Sequence, residues 1–193
     1  MCDLRNLVEP GLGCLHKVAP GTEINLYYTC ICELNGFPQT VTEASGWTAH
    51  GDDVLLSGPF DFSTAPAGAG YWRQARILVD TGGIKMGVEG EVGGQSPYSE
   101  VRFFITGTAK EQIEFAENLV ATSGFLSAMI KQRQISEYNV IGTPNLPAYI
   151  QSLEIDGGEK SGDRRGGAYV LRYPGTLLFY DADTHGIDVT PNP

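Results

Sequence analysis

The stretch GGIKMGVEGEVGGQSPYSEVRFFITGTAKEQIEFAENL, from Gly82 to Leu119, decides the fold class. Its first part contains two runs in which apolar and polar residues alternate, Ile84 to Val92 and Pro97 to Thr106. Alternation with a period of two places every second side chain on the same face, which is typical of a β-strand with one buried face. The sequence therefore predicts two such strands here.

The period changes after the second run. Thr108 is followed three residues later by Glu111, the pattern of a capping box at a helix N-terminus. An apolar stripe at helical spacing follows and ends before Ser123-Gly124; it consists of Ile113, Ala116, Leu119 and Val120. The sequence predicts one α-helix over about residues 109–122.

Strand-like segments lie on both sides of this stretch. Glu23 to Leu34 and Tyr71 to Asp80 precede it, and Gly82 and Gly83 after the second segment predict a hairpin turn. Further short strands are predicted at Phe125 to Ile130, Tyr138 to Ile141, Ala148 to Ile155, Gly167 to Tyr173 and Thr176 to Tyr180. The predicted fold is mainly β, a β-sandwich or barrel with one flanking α-helix.

A long segment from Asn35 to Gly70 separates the first two strands. It is acidic and rich in glycine and proline, yet it carries Trp47, Phe60 and Phe62. A segment of this length with little regular structure is uncommon in a compact domain unless it binds something. Two interpretations remain open: the aromatic side chains form a surface for a partner, or the loop folds back over its own core.

Length and charge limit the possible functions. The 193 residues, 41% hydrophobic, suit a single domain spanning residues 1–193. The net charge is −10, and no Lys or Arg occurs between Val18 and Trp72, so we expect no tight binding to phosphates of nucleic acid. The start, MCDLRNLVEPGLG, has no signal-peptide pattern, and no apolar run reaches about 18 residues. We expect a soluble, cytosolic chain that does not enter a membrane.

No group of reactive side chains in the sequence forms an active site. The cysteines Cys2, Cys14, Cys30 and Cys32 lack the paired spacing of zinc sites, and alternation places the last two on one strand face as packed thiols. The sequence has three histidines, His16, His50 and His185, but no G-x-S-x-G motif that would present a nucleophilic serine to one of them. We therefore expect no enzyme, no metal site and no cofactor.

One motif does point to an enzyme. Asp80-Thr81-Gly82 follows aliphatic residues, as in the catalytic loop of a retroviral-type aspartic protease, and Val140-Ile141-Gly142 has the spacing of its second signature. The predicted helix between the two motifs and the Thr-Pro after Gly142 count against a protease. Turns of glycine-rich β proteins also often contain Asp-Thr-Gly. A protease that uses Asp80 is a remote alternative.

The order of elements resembles that of the tail tube proteins of long-tailed bacteriophages, particularly the acidic versions in phages of Bacteroidetes. The resemblance is carried by GLGCLHKVAPGTEINLYYTC, by the stretch from Gly82 to Leu119, by EYNVIGTPNLPAYIQS and by GDRRGGAYVLRYPGTLLFY. These segments are similar to the family's tyrosine-bearing first strand, its hairpin, aromatic strand and helix, and its closing strands. The resemblance implies a sandwich or barrel with one flanking helix.

The resemblance also implies a virion structural protein that is assembled in the host bacterial cytoplasm. Its subunits would form six-membered rings, stacked into a tube through which DNA passes without specific binding, with other tail or head-tail proteins as partners. Acidic side chains would then line the lumen, because an attractive wall would stall the DNA. The candidates are Glu33, Glu89, Glu91 and Glu100, and the candidate contacts to the next ring are Trp47, Phe60 and Phe62. A head-tail adaptor or another minor tail protein is the alternative.

Overall fold

The computed structural model describes residues 22–40, 54–67, 69–78, 81–107, 110–133, 135–158 and 165–190. These residues form eleven β-strands in two sheets, a longer helix α1 (Lys110–Ala121) and a short helix α2 (Ala182–His185). The predicted fold class, mainly β with one flanking helix, is confirmed. The capping box predicted for α1 begins at Thr108, which lies outside the described residues.

The larger sheet has seven strands. They are β1 (Thr22–Cys30), β2 (Gln39–Thr40), β3 (Leu55–Ser57), β4 (Arg73–Arg76), β7 (Leu126–Gln132), β8 (Tyr138–Ile141) and β11 (Leu178–Tyr180). Their order across the sheet is β2-β3-β11-β8-β7-β1-β4. All neighbours are antiparallel except β3 and β11, which run parallel. Strands from both ends of the described chain therefore meet in this sheet.

The smaller sheet has four strands. They are β5 (Gly83–Glu89), β6 (Ser96–Thr106), β9 (Tyr149–Asp156) and β10 (Gly166–Tyr173). They lie in the order β5-β6-β10-β9, and each neighbouring pair is antiparallel. In β6 the side chains of Val101 and Phe103 are buried, whereas Arg102 between them is exposed. The sheet thus has one face on the core and one face open to solvent.

The main core lies between the two sheets and under α1. Leu26 and Ile130 enter it from the larger sheet, Phe103 and Tyr169 from the smaller sheet, and Leu119 from the helix. The Phe103 and Tyr169 rings stack at a centroid distance of 5.0 Å. Helix α1 therefore covers the core as the periodicity predicted, although two residues of its predicted stripe, Ile113 and Val120, are exposed.

A second core lies on the opposite face of the larger sheet. Met129, Val140 and Tyr180 point to this face and pack against Phe60 and Trp72 from the segment before β4. Because both faces of the larger sheet are covered, β7 is buried at five consecutive positions and shows no alternation. Burial raises the pKa of Tyr180 to about 12, with Asp181 as a second cause.

The hairpin predicted at Asp-Thr-Gly-Gly is wrong. The strand expected from Tyr71 to Asp80 is only β4, and β4 and β5 belong to different sheets. The Ile77 amide donates to the Ile24 carbonyl (2.8 Å), whereas the next amide, Leu78, donates to Phe104 (2.7 Å). The chain therefore crosses between the sheets here, and the hairpin is formed by β5 and β6 instead.

The first strand is also shorter than predicted. It ends at Cys30, because residues Ile31–Glu33 form a 3₁₀ turn directly after a last bond in the β1–β7 register, from the Ile31 amide to the Phe125 carbonyl (2.7 Å). Cys32 therefore leaves the strand face and forms a disulfide with Cys30, where two packed thiols were predicted. Within the part of the chain that the structure describes, neither helix has the length and apolar character needed to cross a membrane.

Candidate functional site

Glu33, the first predicted lumen acid, is held inside the subunit. The 3₁₀ turn after β1 places its carboxylate beside Arg73 at the start of β4. Arg73 Nη1 and Nη2 donate to it at 3.1 and 2.8 Å, and the backbone amide of Gly70 donates to it at 3.0 Å. The hydrogen bond with Glu33 is the largest cause that raises the pKa of Arg73. We call Glu33, Gly70 and Arg73 the Glu33 clamp; it fastens the end of the long segment to the end of β1.

Glu33→Gln should lower the free energy of unfolding by about 2 kcal/mol, because a bidentate pair with little exposure loses its charge-assisted hydrogen bonds. Urea denaturation measures the change. Glu114→Gln is the matched control: Glu114 pairs with Lys110 on the exposed face of α1, where an ion pair contributes about 0.3–0.5 kcal/mol. Equal losses in the two variants would contradict a structural role for the clamp.

Glu89 and Glu100 lie together on the open face of the smaller sheet. Glu100 is only 4% exposed; it accepts from Arg102 Nη2 at 2.9 Å and lies 3.9 Å from Arg172 Nη1. Arg172 also donates to Glu89. The Tyr98 ring stacks under the Arg172 guanidinium, which is 4.3 Å from the ring centroid. These five residues form the open-face cluster.

The open-face cluster differs from the acidic wall that was predicted for a lumen. Its carboxylates are neutralised by arginines, and the Lys85 ammonium, 5.6 Å from the centroid of the Tyr98 ring, adds another positive charge beside it. Glu91 lies apart, exposed in the turn between β5 and β6. Glu89, Glu91 and Glu100 thus lie in or next to one hairpin, whereas Glu33 lies in the turn that follows β1 of the other sheet.

The same open face carries two acids that were not predicted from the sequence as members of this surface. Glu154 and Asp156 of β9 pair in register with Ala168 and Gly166 of β10, and both are exposed. A register shift between Val170 and Leu171 adds a residue to β9, so alternation counted from Tyr149 would place both acids on the opposite, core-facing side. The alternation restarted after this bulge was the available signal.

The predicted contacts to the next ring lie largely inside the subunit. Phe60 and Phe62 are 9% and 5% exposed and both pack edge-on against Trp72. Between them, Asp61 forms a bridge with Gly36, and its carboxylate accepts from the Asn35 amide at 2.7 Å. At these two residues the loop folds back over its own core, so little of either aromatic side chain is exposed for contact with another subunit. Trp47 lies outside the described residues.

Of the two protease motifs, the second lies at the end of β8. Asp80 lies outside the described residues. Val140 and Ile141 are fully buried in β8, and Gly142 follows with φ +86°. The Ser127 hydroxyl donates to the Gly142 carbonyl at 2.9 Å. Packing at the end of a strand thus accounts for the hydrophobic-hydrophobic-glycine pattern without reference to catalysis.

The described residues offer little that could hold a cofactor. Among them, no three His, Cys, Asp or Glu side chains converge in a way that could bind a metal ion. Comparisons with known protein families, with curated proteins and with solved structures found no match. A functional proposal therefore rests on the sheet edges, the open-face charges and the resemblance noted in the sequence.

Proposed function

We propose that this chain is a virion structural protein, a tail tube subunit that assembles into stacked, six-membered rings through which DNA passes. The observation that carries the proposal is the smaller sheet, whose outer strands β5 and β9 both present an edge to which no described strand is paired. Unpaired edges are sites at which another chain adds a strand. Two such edges on one sheet suit a head-to-tail contact, which closes into a ring.

Strand direction supports the same contact. The four strands alternate in direction, so β9 of one subunit and β5 of the next would run antiparallel when placed side by side. Pairing of this kind continues the sheet without a break in its hydrogen-bond pattern. A bridge between Leu126 and Ala148 ties the chain to β7 just before β9, which leaves Ser152 to Asp156 as the open part of that edge.

Charge and apolar exposure at the two edges support this pairing. On the open face, β5 carries Lys85 and Glu89, and the Glu89 carboxylate is already paired with Arg172. The β9 side carries Glu154 and Asp156, so Lys85 would meet opposite charges. On the other face of β5, Met86 and Val88 are 59% and 63% exposed, beyond the end of the main core. Exposed apolar side chains beside an unpaired edge are typical of an interface.

The open face is the surface that suits DNA passage. In a ring closed through β5 and β9, this face of every copy would form one continuous wall. Its arginines are engaged with Glu89 and Glu100, so they offer phosphates little attraction. The exposed carboxylates of Glu154 and Asp156 add repulsion. The proposed location is the virion tail, after assembly in the host bacterial cytoplasm and with other tail proteins as partners.

Val88→Lys should abolish ring formation and leave the subunit folded, because a lysine on an edge strand opposes the addition of another strand. Electron microscopy and sedimentation velocity across a range of concentrations measure assembly. The free energy of unfolding should change by no more than about 0.5 kcal/mol, since Val88 is exposed. Val189→Lys is the matched control: Val189 is 48% exposed and follows Asp188, whose carbonyl accepts from the amide of Trp72 in the second core, on the other face of the larger sheet.

Rings of the wild-type chain that persist in Val88→Lys would show that β5 is not the contact strand. A wild-type chain that stays monomeric at every concentration would contradict self-assembly itself. Loss of rings in both lysine variants would point to charge alone and would also count against the β5 edge.

A further inference from the structure

The Cys30–Cys32 disulfide lies at an exposed turn that the proposed ring assembly does not use. The two cysteines are separated by one residue, with Cα atoms 5.1 Å apart. Cys32 is exposed and Cys30 is half-buried. A loop this short removes little conformational entropy from the unfolded chain, so the folded protein gains little from keeping the bond closed. Exposed disulfides with small structural benefit are the ones that exchange with solution thiols.

The same turn carries the residue that fastens the long segment. Glu33 directly follows Cys32, and its carboxylate holds the Gly70 amide and the Arg73 guanidinium. The turn is anchored at both ends, where the Ile31 amide donates to the Phe125 carbonyl at 2.7 Å and the Asn35 amide donates to the Asp61 carbonyl at 2.8 Å. Inside the turn, the Cys32 amide donates to Cys30 Sγ at 3.3 Å and the Leu34 amide donates to the Ile31 carbonyl at 3.1 Å. Between these two anchored ends, the disulfide is the covalent constraint on the residue next to Glu33.

A cleft beside the turn gives small molecules access to it. Its volume is about 270 Å³, and its lining includes Cys30, Glu33 and Arg73 together with Thr122 after the end of α1. Cys30 of the disulfide and two members of the Glu33 clamp thus line the same cleft. A thiol of low molecular weight that enters this space meets both.

We propose that Cys30–Cys32 is a redox-modification site for low-molecular-weight thiols, and that its disulfide state holds the Glu33 clamp closed. The inference concerns the folded subunit and does not depend on the proposed assembly. In the forward step a thiolate of the small thiol in the cleft attacks Sγ of Cys30, a new S–S bond forms to Cys30, and Cys32 leaves as a thiolate. A second small thiol attacks the small thiol's sulfur in the mixed disulfide and frees Cys30. The two small thiols supply two electrons and become a disulfide, and the two cysteines take up protons.

Reversible labelling tests the site. The folded full-length chain is equilibrated in buffers with different ratios of reduced to oxidised glutathione, quenched with acid, treated with N-ethylmaleimide and digested with trypsin. The tryptic peptide Val18 to Arg73 contains Cys30 and Cys32 and no other cysteine. We expect no adduct in oxidising buffer, two adducts in reducing buffer, and full return on reoxidation. Two adducts at every ratio, or none at any ratio, would overturn the proposal.

Hydrogen exchange at the Gly70 amide tests the control of the clamp. Reduction should speed this exchange about tenfold, because the amide loses a hydrogen bond to a carboxylate. Glu33→Gln should exchange fast in both redox states, and Cys32→Ser should not respond to glutathione. Cys2→Ser/Cys14→Ser is the matched control that should keep the full response. An unchanged Gly70 rate after complete reduction would overturn the proposed control.

Discussion

Phe60→Ala should lower the free energy of unfolding by about 3–5 kcal/mol, although Phe60 lies in a segment that reads as a loop. Its ring contacts those of Phe37, Trp72 and Tyr180 at centroid distances of 5.2, 4.9 and 4.9 Å. Truncation removes this apolar burial and leaves a cavity, because Tyr180 belongs to β11 and Trp72 directly precedes β4, so the larger sheet limits how far their rings can move. Chemical denaturation followed by tryptophan fluorescence measures the loss.

Phe125→Ala is the matched control for this prediction. Its side chain is 61% exposed, so the free energy of unfolding should change by about 0.5 kcal/mol or less. The two variants also distinguish a role of Phe60 in the second core from a role in contacts between subunits. A Phe60→Ala chain with unchanged stability but without ring formation would show that Phe60 serves a contact between subunits. A large loss of stability in the isolated subunit would show that it serves the second core.

Gly142→Ala should lower the free energy of unfolding by about 3 kcal/mol or more, through two separate effects. The backbone has φ +86°, a region that disfavours any residue with a Cβ atom by about 1–2 kcal/mol. An added Cβ would also lie 2.1 Å from the Leu126 carbonyl oxygen and 2.9 Å from the Ala148 nitrogen. These two groups bond to each other in the bridge that ties the entry of β9 to β7, so the bridge would have to open.

Gly58→Ala isolates the backbone effect. Its φ is +96°, and an added Cβ would meet no atom within 4 Å. We expect a loss of about 1–2 kcal/mol for this variant. Equal losses at the two positions, measured by urea denaturation, would contradict the role of the close approach at Gly142. A larger loss at Gly142 would support packing as the reason for the glycine in its Val-Ile-Gly pattern.

Local pattern predicted the elements that have one apolar face. Helix α1 was expected over about residues 109–122 and spans Lys110–Ala121, because its apolar stripe recurs at helical spacing. β6 and β10 were predicted within one or two residues of their ends, since most residues of each strand alternate between buried and more exposed positions. β7 was also placed, because a short, almost entirely apolar run is typical of a strand that is buried on both faces.

The local sequence pattern gave wrong or missing predictions for segments whose structure depends on pairing with a distant part of the chain. β3 has only three residues, too few to show a period, and it forms by pairing with β11 far along the chain. The turn at Asp-Thr-Gly-Gly reads as a hairpin, yet Ile77 and Leu78 bond to different sheets. In the sequence, Glu33 and Glu100 look like solvent-facing acids. In the structure, Glu33 pairs with Arg73, which is distant in sequence, and Glu100 lies beside Arg172 of the neighbouring strand β10.

The sequence by itself determined the fold class, the helix, most strands and the acidic charge, because periodicity and composition are properties of neighbouring residues. Only the tertiary structure decided that Phe60 and Phe62 are core residues, that Glu100 is buried, and that β5 and β9 are the outer strands of one sheet. Burial and edge position depend on which segments pack together across long stretches of chain. Which segments pack together depends on all the contacts of the fold at once, so it cannot be inferred from the pattern of neighbouring residues.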